Sequence, residues 1–74
     1  MMIKKAFLIL LEVSKSRKGL VILKSYGFME FGMGYIENLK KKNLERQPTY
    51  QTIREIIEEI LSGIIGLDGV RSNQ

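Results

Sequence analysis

The sequence predicts an α+β fold: two or three antiparallel strands in the N-terminal half, followed by a short helix and a longer amphipathic C-terminal helix. Three observations lead there. Ile53, Ile56, Ile57, Ile60, Leu61 and Ile64 recur at the spacing of one helical face. Two aliphatic runs, within Ile3 to Val13 and over Leu20 to Leu23, are separated by the polar break Ser14 to Gly19, which reads as a hairpin. Residues 26–36 mix Tyr26, Phe28, Phe31 and Tyr35 with Gly27, Gly32 and Gly34, a composition poor for helix and acceptable for a twisted strand.

Taken in order, Ile3 to Val13 is nearly all apolar, and periodicity leaves strand and helix both open. Ile3, Ala6, Phe7, Leu10 and Val13 would form a helical stripe, but the following break and second run favour strands. In the third strand Met29, Phe31, Met33 and Tyr35 share a face, while Gly32 and Gly34 allow a bulge or a close backbone approach. Glu37 to Glu45 reads as a short polar helix carrying a lysine run, broken before Pro48. The last helix has two competing starts. Gln47 or Thr49 caps a helix that opens near Pro48, or Thr52 caps a shorter one through a capping box with Glu55. Gly63 and Gly66 are expected to fray or stop it, leaving Leu67 to Val70 as a turn with a short extended end.

At 74 residues the chain has room for one domain, and a chain of this size buries only about 60% of the surface its unfolded form exposes. With 45% hydrophobic residues and no disulfide, a homodimer or another partner is expected to cover apolar surface. The chain has neither Cys nor His, which removes thiolate nucleophiles, imidazole acid–base pairs and the usual zinc sites, so neither an enzyme nor a cofactor or metal is expected. Lys4 and Lys5 precede an apolar run, but its uninterrupted part, Ala6 to Leu11, ends at Glu12. That is too short for export or a membrane span, and a cytoplasmic protein is expected. The net charge of +4 is uneven: Lys4, Lys5, Lys15, Arg17, Lys18 and Lys24 stand against Glu12 in residues 1–26, with a second basic group at Lys40, Lys41, Lys42 and Arg46. Such groups attract polyanions or simply solubilise exposed faces.

The segment Tyr35 to Ile65, with a short helix, a turn at Asn43 to Pro48 and a second helix opening Pro48-Thr49-Tyr50-Gln51-Thr52-Ile53-Arg54, resembles the core of a winged helix-turn-helix domain. The resemblance implies double-stranded DNA as partner. It assigns Thr49, Tyr50, Gln51 and Arg54 to bases or phosphates, and Lys40, Lys41, Lys42 and Arg46 to the backbone. Lys24-Ser25-Tyr26-Gly27-Phe28-Met29-Glu30-Phe31 is similar to the octapeptide of RNA-recognition-motif domains, which would give Lys24 a phosphate contact and Tyr26 and Phe28 stacking roles. A strand at Ile3 to Val13, a helix at Ser16 to Tyr26 and a strand at Phe28 to Ile36 would look like the opening of a ferredoxin-like fold. Small regulators of that architecture, including nitrogen-regulatory P-II-like ones, bind ligands between subunits, with Gly32-Met33-Gly34 as the approach. The leading expectation is a small basic DNA-binding regulatory protein. The alternative is an oligomeric protein-interaction module, an inhibitor or adaptor, or a ferredoxin-like ligand-binding module with no nucleic-acid role.

Overall fold

A computed structural model describes the backbone of residues 2–72 and the side chains of residues 4–67. Within them the chain forms four α-helices and no strand: α1 (Met2–Val13), α2 (Arg17–Ser25), α3 (Phe28–Lys41) and α4 (Pro48–Ser72). The α+β expectation is therefore overturned, along with the ferredoxin-like arrangement. The two aliphatic runs are helices because a fully apolar run suits a buried strand and a buried helix alike, and α1 carries three Leu, two Lys, one Ala and one Glu, all good helix formers.

Helix α4 organises the rest. Ile53, Ile57, Ile60 and Ile64 are completely buried and Ile56 nearly so, and α1, α2 and α3 all pack on this one helix. At 25 residues it is about 37 Å long, which accounts for the elongated shape, 42 × 22 × 18 Å. An isoleucine stripe of that length needs cover along its whole run. Phe7 from α1, Leu23 from α2 and Phe28 from α3 supply it, with Leu10, Leu11, Leu20, Met29, Tyr35, Ile36 and Tyr50 around them.

The glycines expected to mark a strand or to end the last helix do neither. Gly27 lies outside the helices, between α2 and α3, in the left-handed conformation (φ 82°) that L-residues rarely adopt. Gly32 lies within α3 and brings it onto α4: a Cβ there would stand 2.9 Å from Ile57 Cγ2. Met29 and Tyr35 turn toward the core while Phe31 and Met33 stay exposed, so the single strand face expected for these four residues does not exist. Helix α4 continues through Gly63 and Gly66 to Ser72, and the turn expected at Leu67 to Val70 is helical. Its isoleucines hold it against α1 and α2 where local propensity alone would let it fray.

The connections are specified locally. Ser16 caps α2, its Oγ accepting from the Gly19 N–H at 3.0 Å. At the end of α3, Asn43 takes φ 56°; its N–H donates to the Lys40 carbonyl and the Leu44 N–H to the Leu39 carbonyl at 2.9 Å. These two bonds form a Schellman motif with Asn in the glycine position. The longer of the two candidate starts for α4 is realised: the Gln47 carbonyl accepts the Gln51 N–H at 2.9 Å. Thr52 makes no capping box, its hydroxyl donating instead to the Pro48 carbonyl one turn back.

Candidate nucleic-acid interface at the α3–α4 corner

The Schellman turn brings the C-terminus of α3 next to the N-terminus of α4, and the basic cluster lies on this corner. Lys40 and Lys41 end α3, Lys42 is its C-cap and Arg46 stands just before α4; all four side chains are exposed. None of the four has an ion-pair partner among the described residues. Their local role is clear, since cations at a helix C-terminus offset its negative dipole end. On the other side of the turn, the first turn of α4 carries no acidic residue, so the positive end of a 25-residue helix adds to the same field.

The expected base-contacting residues divide. Gln51 is exposed. Thr49 is half-buried, and Tyr50 packs against the core beside Tyr35. Burial, with a smaller contribution from the neighbouring Tyr50 hydroxyl, raises the pKa of Tyr35 above its ordinary value. Arg54 is also half-buried, its Nε 3.9 Å from Glu58 Oε2 and without a hydrogen-bond partner. The outward face of α4 beyond the first turn presents Glu55, Glu58 and Glu59 to solvent. Helix α4 is thus a core helix with one exposed acidic face, and only its first turn is presented where a duplex phosphate is electrostatically welcome.

Sequence reasoning missed Asn43 as the residue that shapes the corner, although Asn before a break is the usual non-glycine choice for the left-handed position. It also missed that Tyr50 extends the isoleucine stripe, standing three positions before Ile53 and seven before Ile57.

The octapeptide-like segment forms no strand. Tyr26 is 85% exposed in the α2–α3 turn, but Phe28 is buried against α4 and offers no face to a base. Gly32-Met33-Gly34 lies inside α3, with Gly32 committed to Ile57. Among the described residues no cluster of acidic residues is arranged to hold a metal ion, and no helix is long and apolar enough to cross a membrane. Comparisons with protein-family models, curated proteins and solved structures found no match to this chain.

Proposed function

We propose that this is a small DNA-binding protein of the cytoplasm that docks on the phosphate backbone through the α3–α4 corner and regulates by occupancy. The observation that carries this reading is the display of Lys40, Lys41, Lys42 and Arg46, all exposed, around a rigid turn beside the acid-free first turn of α4. Phosphate contacts position a protein without reading sequence. With Tyr50 facing the core, Arg54 held near Glu58 and three glutamates outward on α4, base readout narrows to Gln51 and Thr49. Binding is therefore expected to be salt-dependent and weakly selective.

Fluorescence anisotropy of a labelled duplex across a salt series tests this. Each phosphate neutralised contributes about −0.9 to the slope of log K against log salt, so replacing Lys40, Lys41 and Lys42 with Ala flattens it by up to about 2.7. Gln51→Ala should alter sequence preference with little change in slope. An unaltered slope in the triple variant sinks the mechanism.

A second reading, a protein-interaction module without a nucleic-acid role, is favoured by the large apolar side chains left in solvent, among them Leu8, Ile9, Val21, Phe31 and Met33. Under that reading the lysine variant keeps its partner, while a charge introduced on an exposed apolar face loses it.

A further inference from the structure

Helix α1 buries Phe7 and lays Leu10 and Leu11 against the core, yet its opposite face is not polar. Leu8, Ile9 and Val13 are exposed there, Ile9 at 64%, and with Lys5 and Glu12 they line one shallow apolar groove. The charges of this face are in the wrong order for an isolated helix. Lys5 lies toward the positive N-terminal end and Glu12 near the negative C-terminal end, and α1 has no acidic residue in its first turn and no basic residue in its last. The helix dipole opposes both placements, so the stability of α1 itself does not explain them.

A second copy of α1 running antiparallel does. About a two-fold axis between positions 8 and 9, Leu8 meets Ile9 of the other copy, and Lys5 meets its Glu12 at both ends of the contact. Each ion pair stands about 5 Å from the axis along the helix, at 1.5 Å per residue. The arrangement is self-complementary, as an isologous contact must be, and it sets the two helix dipoles antiparallel. Glu12 also pairs with Lys15 of its own chain at 3.5 Å through Oε2, but both side chains are largely exposed and such a pair is worth little.

We propose that this face of α1 is a homodimer interface, an apolar centre of Leu8 and Ile9 flanked by two reciprocal Lys5–Glu12 pairs. The inference does not depend on DNA binding. The patch is small, which puts the dimer among weak, transient associations.

Sedimentation equilibrium over a concentration series, with thermal unfolding followed in parallel, tests it. Lys5→Glu and Glu12→Lys each set like charges across the axis and should weaken dimerisation about ten-fold or more, while each improves the charge–dipole order of α1 and leaves the monomer folded. The double reversal restores opposite charges and should restore the dimer, and Ile9→Lys should abolish it. A purely intramolecular role for these residues predicts the reverse pattern, unchanged mass with altered stability. A chain monomeric at all concentrations, or a dimer indifferent to both single reversals, overturns the proposal.

Discussion

Replacing Gly19 with Ala should destabilise the protein, whereas replacing Gly34 with Ala should stabilise it, although both glycines lie within helices. Alanine gains up to about 1 kcal/mol over glycine in a helix, because glycine loses more backbone freedom on folding. At Gly34 nothing lies within 4 Å of the position its methyl group would take, so that gain stands unopposed. At Gly19 the same methyl would fall on the Val13 carbonyl group, 2.7 Å from its carbon and 2.9 Å from Val13 Cγ1. Ordinary carbon–carbon contacts are about 3.5–4.0 Å, so the end of α1 and the start of α2 must part by at least about 1 Å, and by more for the Val13 carbonyl oxygen, which is nearer still. The carbonyl is backbone, and no side-chain rotation moves it away. Overpacking of this kind costs about 1–3 kcal/mol; less the propensity gain, the net loss is up to about 2 kcal/mol. At about 4–8 °C per kcal/mol for a domain of this size, the Gly19→Ala midpoint falls by up to about 16 °C and the Gly34→Ala midpoint rises by up to about 8 °C. Thermal unfolding followed by far-ultraviolet circular dichroism measures both. A Gly19→Ala protein that melts above the parent temperature, as Gly34→Ala is expected to, refutes the close α1–α2 approach.

Ile57 is fully buried, so Ile57→Ala should cost about 2–5 kcal/mol, a large share of the total stability of about 4–11 kcal/mol expected at this chain length. Glu59→Ala, on the exposed face of α4, should change stability by under about 0.5 kcal/mol; equal denaturant midpoints for the two variants would contradict the assigned core. Ser16→Ala removes the cap on the Gly19 N–H and should cost about 1 kcal/mol by urea unfolding, with no loss counting against the cap. Tyr35 has a pKa raised by burial, so the folded state holds its proton longer than the unfolded chain does. Stability from this group is intact below the ordinary tyrosine value of 10.0 and falls as pH rises from there through the folded value. A phenolate absorbance titration should lose its late component in Tyr35→Phe, and a curve that loses amplitude evenly, with no change in shape, would show that burial does not matter there.

The part of the fold legible in the sequence is the part where pattern and burial coincide. The isoleucine stripe of α4 has an apolar side and a charged side, so its period shows, and the break at Asn43 to Pro48 is marked by residues suited to a turn. Helix α1 hid itself for the opposite reason. Leu8, Ile9 and Val13 stay in solvent opposite Phe7, Leu10 and Leu11, and a helix apolar on both sides carries no period to distinguish it from a strand. Residues 26–36 misled through glycine. Gly27 punctuates the chain outside the helices, whereas Gly32 serves interhelical closeness, and a single sequence does not distinguish a glycine that bends the backbone from one that makes room for Ile57. The same ambiguity hid the true length of α4, where Gly63 makes room for Leu20: a Cβ there would stand 3.0 Å from Leu20 Cδ2.

The division of labour along α4 bears on how function can be separated from stability. Its inward face, from Tyr50 through Ile53 and Ile57 to Ile64, carries the core, so the corner is built on a helix anchored by the core. The four cations lie on the other side of that corner, outside the core. Removing their charge takes away little packing but gives up charge–dipole stabilisation at the end of α3, about 0.3–1 kcal/mol per cation, which a melting curve of the same variant measures. A loss of DNA affinity in the Lys40, Lys41 and Lys42 variant would therefore report on binding. In Tyr50→Ala the same loss would be ambiguous, because that side chain supports the core as well. The same reasoning sets the α1 face apart from the corner. Charge reversals at Lys5 and Glu12 touch neither the isoleucine stripe nor the Asn43 turn, so the proposed self-association and the proposed nucleic-acid binding can be tested one at a time by variants that leave the core untouched.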